Sequence, residues 1–189
     1  MFHPYTKEVC VITAKEVLIQ GMYELMSKQS INNLTVDDIV SYCKVSRSSF
    51  YRYFQDKYDL MHCCYKAHIE KMLDSIPDIR AKDIGREMFI FVRKHKNFFT
   101  NAFKTQGSDS FETFLVNYWY DFLKLSIKDK TGTCSISPEV CDYISFIASG
   151  MTQVAKQWTL RGMSEPPEVM TERAEKVLSD EVKELLKLH

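Results

Sequence analysis

The sequence predicts an all-α protein, and three observations lead to that fold class. Apolar residues recur at intervals of three and four through most of the 189 residues, which is the spacing of one helix face. No segment alternates apolar and polar residues in the manner of a half-buried strand. Only 6 glycines and 5 prolines are available for the many turns of a β-sandwich or barrel. We therefore expect about nine helices.

The first two helices follow from apolar spacing and from capping signals. The helical pattern runs over Thr6–Lys28 and breaks at Ser30. Thr35 can cap a second helix, and Asp38 three residues later completes a capping box. This second helix is short and ends near Lys44.

The third and fourth helices also begin at capping residues. Ser46 is suited to cap a third helix, which carries Phe50 and Phe54 on one face. Asp56 then caps a fourth helix that runs to Pro77. The first three helices predict a compact N-terminal unit, and the fourth connects it to the rest of the chain.

Five further helical segments follow Pro77, at about residues 83–96, 97–104, 109–128, 139–161 and 167–188. The breaks between them contain Gly107, Pro138 and Gly162, residue types that end or begin helices. We place a domain boundary at Pro77. Residues 1–76 form a small unit with its connecting helix, and residues 77–189 form a larger helical bundle.

Charge balance limits the classes of partner. Lysine plus arginine and aspartate plus glutamate both number 25, so the formal net charge is zero. This balance argues against a protein that holds nucleic acid by overall charge. A DNA-binding protein of this composition must concentrate its positive charge locally.

Cysteine usage and hydropathy indicate the compartment. Six cysteines are present, but none stands in a C-x-x-C pair and no histidine pair has zinc spacing. No apolar run resembles a secretory signal or approaches the ~20 residues of a membrane span. We expect a cytoplasmic protein with reduced thiols, no metal, no cofactor and no membrane contact. The adjacent Cys63 and Cys64 leave a sensing role open, although neighbouring helical residues point in different directions.

Sequence signatures of common enzyme classes are missing. The chain has no G-x-S-x-G, H-E-x-x-H, P-loop or dinucleotide fingerprint. His62 and His68 are six residues apart and do not share a helix face well. We expect that the protein is not an enzyme.

Residues 35–57 have the layout of a helix-turn-helix, with a short support helix, a tight turn and a second helix. Apolar residues supply its buried side: Ile39, Val40, Val45, Phe50 and Phe54. The other side of the second helix is polar and has no acidic residue between Val45 and Gln55. From Lys44 to Lys57, four basic residues stand with a single acidic one, a local charge of +3 in a neutral chain. The segment therefore predicts a DNA-reading module.

The same segment resembles the tetracycline-repressor (TetR) family closely. The matching elements are Thr35-Val36-Asp37-Asp38-Ile39, Val45-Ser46-Arg47, Phe50-Tyr51-Arg52-Tyr53-Phe54 and Lys57-Tyr58-Asp59-Leu60. The resemblance covers Thr6–Leu60 and implies a transcriptional regulator, a repressor released by a small ligand, that binds a palindromic operator as a dimer. Lys44 stands where this family usually has glycine. A left-handed backbone there costs lysine roughly 1–2 kcal/mol relative to glycine.

The resemblance also implies which side chains meet DNA. Phosphate contacts fall to hydroxyls and one lysine, at Thr35, Ser46, Tyr51, Tyr53 and Lys57. Contacts to base edges fall to Arg47, Ser48, Ser49 and Arg52. The chemistry agrees, because hydroxyls and lysine fix register on the backbone and arginine can bond guanine N7 and O6. The alternative is that these polar groups form only a solvated helix face.

The last two predicted helices carry long apolar stripes. Such stripes can bury themselves against a second copy in a four-helix interface, and the family resemblance implies that homodimer. The residues assigned to the interface are Ile144, Ile147, Met151, Val154, Val177 and Leu178. The alternative is that both stripes belong to the core of a single chain.

The middle helices are rich in aromatic residues, and the family resemblance places an inducer pocket among them. Candidate pocket residues for a small apolar or aromatic ligand are Phe103, Phe114, Tyr118 and Trp119, although aromatics at helical spacing are more often core. Lys104–Phe111 and Gln157–Met163 resemble the subgroup that contains the dihydroxyacetone-kinase activator. That similarity leaves open an activator, or an interaction module, whose bundle binds a coregulator protein.

Overall fold

The computed structural model describes residues 13–76, 81–132 and 135–177, and all regular structure in these ranges is helical. The helices are α1 (Ala14–Met26), α2 (Val36–Cys43), α3 (Arg47–Tyr53), α4 (Lys57–Asp74), α5 (Ala81–Lys94), α6 (Lys96–Ala102), α7 (Phe111–Thr131), α8 (Pro138–Leu160) and α9 (Pro167–Val177). A 3-10 turn, Ile31–Asn33, lies between α1 and α2. The all-α prediction is confirmed for these ranges. None of their helices has the length and hydropathy to cross a membrane.

Side-chain caps define the starts of the N-terminal helices. The predicted capping box is present on α2, where Thr35 and Asp38 bond each other's backbone N–H groups. Ser46 caps α3, and Asp56 accepts hydrogen bonds from two N–H groups at the start of α4. The helix α1 begins at Ala14, where Thr13 has extended backbone and forms a capping box with Glu16, while residues 6–12 of the predicted first helix lie outside the described residues.

The N-terminal unit is a three-helix cluster in which α1 packs against α2, α3 and α4. Its core is fully buried at Leu18, Met22, Ile39 and Phe50. Gly21 allows α1 and α2 to approach closely, because a Cβ built there would lie 2.2 Å from the Sγ atom of Cys43. A larger residue at position 21 would require the Cys43 side chain to move.

The C-terminal bundle is built on the hairpin of α7 and α8, while α9 packs along α5. An ion pair between Lys156 and Glu112 joins α8 to α7. Trp158 on α8 is fully buried, and its Nε1–H donates to the carbonyl oxygen of Glu165 at 3.0 Å. The helix α4 contacts both α1 and α7, so it connects the N-terminal unit to the bundle.

The turn between α2 and α3 has the left-handed backbone at Lys44 for which the sequence predicted a cost in free energy. Lys44 adopts φ 54° and ψ 42°, which is left-handed, and the next residue's N–H bonds the carbonyl of Val40 at 3.0 Å. A left-handed residue after a helix allows the chain to reverse direction and lets following N–H groups bond the last carbonyls of the helix. Glycine adopts this conformation without a steric penalty, because it has no Cβ atom.

Lys44→Gly is expected to stabilise the protein by about 0.5–1 kcal/mol, because relief of the left-handed strain outweighs the added freedom of the unfolded chain. Lys44→Ala is the control, since it removes the same charged side chain and keeps the strain. Urea unfolding of both variants measures the difference, and equal stability of the two variants would refute the strain.

Candidate nucleic-acid interface

The outward side of α3 carries the side chains that the sequence assigned to DNA. Phe50 and Phe54 anchor the helix, being 0% and 2% exposed. In contrast, Tyr51 and Tyr53 are 51% and 39% exposed although both are large and aromatic. Seven of the nine predicted contact residues are exposed: Thr35, Ser46, Arg47, Ser48, Tyr51, Arg52 and Tyr53. Ser49 and Lys57 are half-buried.

Three serine hydroxyls cluster at the start of α3. The Oγ atom of Ser46 lies 2.9 Å from the Oγ atoms of both Ser48 and Ser49. It also accepts the backbone N–H of Ser49 at 3.1 Å, which is the capping bond of the helix. These hydroxyls can exchange their mutual bonds for phosphate oxygens or base edges without exposing an unpaired group.

Arg47 is oriented by two neighbours. Its Nη1 atom lies 3.1 Å from both carboxylate oxygens of Asp37, and its Nη2 atom lies 3.4 Å from the Tyr51 hydroxyl. The Arg47 and Asp37 side chains are 58% and 64% exposed. An ion pair so exposed is easily exchanged, so the guanidinium can turn from Asp37 to a base edge. Asp37 is a site residue that sequence reasoning missed, because the pairing joins two different helices.

The hydroxyl of Thr35 is already engaged in capping. It donates to Oδ2 of Asp38 at 2.6 Å and accepts the Asp38 backbone N–H at 3.1 Å. These bonds from Thr35 to the carboxylate hold the pKa of Asp38 below its usual value. A phosphate contact by Thr35 would have to share or replace the bond to the carboxylate.

Lys57 is bonded inside the protein. Its ammonium donates to the carbonyl oxygens of Ile31 and Leu34, at 2.9 and 2.8 Å. These acceptors precede Lys57 by 26 and 23 residues, so no local sequence signal could have indicated them. The predicted phosphate ligand therefore has two of its three N–H donors occupied.

The residues assigned to a dimer interface differ in accessibility. Ile144 and Ile147 are only 0% and 9% exposed and belong to the core of the chain, whereas Val154 is 39% exposed. Met151 is half-buried and packs on Ile147. The side chain of Val177 and all of Leu178 lie outside the described residues. Within the described part of α9, the exposed side chains are charged: Glu168, Glu172, Arg173, Glu175 and Lys176.

A different face of α8 is exposed. Phe146 is 68% exposed and Leu160 is 46% exposed, and both share this face with Val154. The residues of this face recur at helical intervals and are Glu139, Asp142, Phe146, Ser149, Gly150, Gln153, Val154, Gln157, Leu160 and Arg161. We call these ten residues the α8 outer face. Sequence periodicity missed it because most of its members are polar or small.

The predicted pocket residues pack around one tyrosine of α4. Tyr65 is 1% exposed, its ring centre lies 5.8 and 5.5 Å from those of Phe114 and Tyr118, and its hydroxyl accepts the Nε1–H of Trp119 at 3.1 Å. Phe103 is 4% exposed and packs against Phe111. Phe114, Tyr118 and Trp119 thus form core contacts between α7 and α4, and Phe103 packs beside them at the end of α6.

A cavity lies instead beside α4, where α1, α5 and α6 meet. Its lining is mainly aromatic and consists of Tyr23, Cys64, Tyr65, His68, Phe91, His95, Phe98 and Phe99. The space between these side chains is about 170 Å³, part of which is open to solvent. The Tyr23 hydroxyl and Nδ1 of His95 are hydrogen-bonded at 2.5 Å, and the His68 ring stacks on Tyr23 with the ring centres 4.4 Å apart.

Burial favours the neutral form of both cavity histidines. Burial, with the neighbouring His68 and Lys94, lowers the pKa of His95 to about 4. Burial also lowers the pKa of His68, to which Lys71 contributes, and the Nδ1–H of His68 donates to the Cys64 carbonyl at 2.8 Å. A neutral His95 ring can hydrogen-bond the Tyr23 hydroxyl through Nδ1 in either direction, because a phenol both donates and accepts.

Acid is therefore expected to weaken the junction of α1, α4 and α6. In the unfolded chain a histidine takes up its proton near pH 6.5, whereas folded His95 resists protonation to about pH 4. The unfolded state binds more protons in this window, so stability falls as the pH decreases through it. His95→Asn keeps an acceptor for Tyr23 without a titrating ring, and its Tm should fall less than the wild-type Tm between pH 7 and pH 4.5. Parallel Tm curves for the two proteins would contradict the expectation.

The fold disfavours the thiolate form of the two adjacent cysteines. Burial raises the pKa of both the Cys63 and Cys64 thiols, and Cys64 is 0% exposed. A thiol held in its neutral form is a poor nucleophile and a poor ligand for soft metals. The Sγ of Cys63 contacts Asp59, which further disfavours the thiolate.

Two family models match the chain. One, described as bacterial regulatory proteins, tetR family, matches residues 18–63. The other, described as transcriptional regulator C-terminal region, matches residues 80–180, more than half of the 189 residues. No curated protein matches the chain.

Solved structures share the fold at low identity. The dihydroxyacetone kinase operon activator DhaS is 18% identical, with a TM-score of 0.63 over 91% of this chain and 97% of that chain. A tetR-family transcriptional regulator from Streptomyces coelicolor is 18% identical, with a TM-score of 0.59 over 92% and 86%. A putative TetR-family regulator from Syntrophomonas wolfei is 16% identical, with a TM-score of 0.60 over 87% and 92%. At these identities the similarity establishes the fold.

Proposed function

The chain belongs to the TetR family of DNA-binding transcriptional regulators, and we propose that it binds a palindromic operator as a homodimer with α3 of each chain in the major groove. The observation that carries the proposal is the outward side of α3. It concentrates exposed arginine, serine and tyrosine side chains in a segment of net positive charge, within a chain of net charge zero. Affinity for the operator then depends on the two paired helix-turn-helix units, the reading heads of the dimer, and on base contacts. Overall electrostatic attraction contributes less.

Each exposed side chain of α3 has a role that its chemistry supports. Arg47 and Arg52 are proposed to bond guanine edges, with Ser48 and Ser49 beside them. Ser46, Tyr51 and Tyr53 are proposed to hold phosphates through their hydroxyls, together with Thr35 at the start of α2. The exposed rings of Tyr51 and Tyr53 support this role, because large aromatics on a free surface are typical of a binding face.

The α8 outer face is proposed to form the dimer. In an antiparallel pairing centred near Gly150, Phe146 of one chain would meet the partner's Val154. The acidic residues Glu139 and Asp142 stand at one end of the face and Arg161 at the other, so antiparallel helices bring opposite charges together. A Cβ at Gly150 would meet no atom of its own chain within 4 Å, which leaves room for a close helix.

Ile144 and Ile147, which the sequence assigned to this interface, are replaced in the proposal by Phe146 and Leu160. The reason is that side chains buried in their own chain have no surface to offer a partner. We also propose that residues 77–189 form a separate ligand-binding and dimerisation unit. This unit is joined to residues 1–76 through α4.

Regulation is proposed to act through α4, as repression that a small apolar or aromatic ligand releases. Cys64, Tyr65 and His68 of α4 line the cavity, and Tyr65 also packs against the predicted pocket residues of α7. A ligand that widens this region would displace α4, and the movement of α4 would change the distance between the two reading heads. It can shift the equilibrium only by its differential affinity for the two states.

The second candidate is an activator, or an interaction module, whose bundle binds a coregulator protein instead of its own ligand. The packing of the predicted pocket residues favours this candidate, because Phe114 and Tyr118 contact the buried Tyr65 and Phe103 contacts Phe111. A reporter gene behind the selected operator distinguishes repression from activation. Deletion of the regulator raises expression of the reporter for a repressor and lowers it for an activator.

Selection of operators by the purified protein from random duplexes tests the proposal. Enrichment of a palindrome supports a dimeric DNA reader. The absence of sequence-specific enrichment at low salt contradicts it and favours the interaction module.

A further inference from the structure

Two aspartates stand in the first turn of α2, and only one of them caps the helix. Asp38 accepts the backbone N–H and the hydroxyl of Thr35, so its carboxylate is part of the capping box. The Asp37 carboxylate takes no part in that cap, and among the described residues its side-chain bonds go to Arg47 of α3. An exposed acidic group therefore stands beside the DNA-reading side of α3 without capping α2.

Arg47 keeps donors for a further acceptor although it is paired. Asp37 engages only its Nη1 atom, through both carboxylate oxygens. The Tyr51 hydroxyl lies near Nη2, and the guanidinium carbon lies 5.9 Å from the centre of the Tyr51 ring. A guanidinium carries five N–H donors, which is more than these two neighbours use. Arg47 can therefore bond an acceptor on DNA while Asp37 still holds it.

The pair of Arg47 and Asp37 meets phosphates and bases differently. A phosphate attracts net positive charge, but the pair has none, and the carboxylate itself repels the phosphate. Guanine N7 and O6 are neutral acceptors that are read through hydrogen bonds, so the pair can bond them without giving up its own attraction. A guanidinium that is already oriented also loses less freedom on binding. The pair should thus favour a guanine edge over a phosphate.

We propose that Asp37 is a positioning residue that sets specificity, because it keeps Arg47 from the phosphates of DNA that lacks the operator. Without its carboxylate, Arg47 is free to bind a phosphate at any sequence, and DNA without the operator is bound more tightly. A side chain that neutralises one phosphate contributes about 0.9 to the slope of log affinity against log salt concentration. The inference rests on the proposed operator binding, and this slope identifies the role of Asp37 separately.

Asp37→Asn is the main test, because the amide keeps the shape of the side chain and removes its charge. Asp121→Asn is the matched control, since it removes the charge of an exposed aspartate on α7 and raises the net charge by the same amount. For a duplex without the operator, Asp37→Asn should raise affinity roughly 3- to 10-fold at 50 mM salt and steepen the slope by about 0.9. Asp121→Asn should leave both quantities at their wild-type values.

Operators with single base-pair changes give the second readout. In Asp37→Asn, the loss of affinity for a wrong base at the position that Arg47 reads should shrink roughly 3- to 10-fold, while other positions keep their wild-type penalties. Circular dichroism should show a Tm within about 3 °C of the wild type, because an exposed ion pair adds little stability. If Asp37→Asn does not fold, Asp37→Ser removes the same charge and should steepen the slope equally.

Unchanged affinity for DNA without the operator would overturn the proposal, and so would an equal rise on operator and non-operator duplexes. If no palindrome is selected but Asp37→Asn still steepens the slope on non-operator DNA, the proposed operator fails and the effect of Asp37 on phosphate binding stands. A wild type that binds no duplex at low salt contradicts both.

Discussion

Phe146→Glu is expected to convert the proposed dimer to monomers and to weaken operator binding by at least about 100-fold. The substitution places a buried, unpaired carboxylate at the centre of the proposed interface, which is costly to desolvate. Phe146 is 68% exposed in the single chain, so the substitution should leave the fold and its Tm unchanged. Loss of the second reading head then removes the gain from linked binding, roughly 10²–10⁴-fold. Light scattering and operator titration measure the two effects.

Leu125→Glu is the matched control for that experiment. Leu125 is 60% exposed on α7, and it points away from α8 because Leu123, two residues earlier, packs on Ile147 of α8. This variant should remain dimeric with wild-type affinity. A Phe146→Glu protein that stays dimeric at micromolar concentration would exclude the α8 outer face as the interface.

Arg47→Ala is expected to weaken specific operator binding by roughly 10- to 100-fold and to relax selection at one base pair of each half-site. The reason is that a guanidinium oriented by Asp37 and Tyr51 can bond guanine at two atoms, whereas alanine leaves those acceptors unpaired. Arg52→Ala should have a comparable effect at another position if both arginines read bases. Competition against mutated operators measures the relaxed selection.

Arg173→Ala is the matched control for the arginine variants. Arg173 is 58% exposed and pairs with Glu165 at 3.1 Å, so the arginine exposure and the ion-pair distance equal those of Arg47 with Asp37. It lies on α9, far in sequence from the reading helices, so its loss should not change operator affinity. Unchanged affinity in both Arg47→Ala and Arg52→Ala would refute the assignment of base contacts.

The parts of the fold that were predicted correctly depend on local signals. Capping at Thr35, Ser46 and Asp56 involves side chains and N–H groups within three residues of each other, so the sequence alone indicates them. The left-handed backbone of Lys44 followed in the same way from its position in a recognisable turn. The exposed side of α3 could be predicted because Phe50 and Phe54 define its buried side.

The parts that were missed depend on long-range contacts. The bonds of Lys57 to Ile31 and Leu34 cross more than twenty residues, and the pairing of Arg47 with Asp37 joins two helices. Periodicity on α8 located an apolar stripe but could not tell whether it faced the chain's own core or a partner. The structure shows that Ile144 faces the core and Phe146 faces outward. The cavity beside Tyr23 was not predicted from the sequence either, because its lining comes from four separate helices.

Binding to duplexes that carry one or two copies of the selected half-site tests the central claim most directly. Two reading heads joined through α8 should occupy a duplex with half-site centres about 10–10.5 base pairs apart, as two chains seen by native mass spectrometry. Affinity for this duplex should exceed that for a single half-site by at least about 100-fold. Equal affinity for one and two half-sites, with one chain bound to each, would contradict a dimeric reader of palindromic DNA.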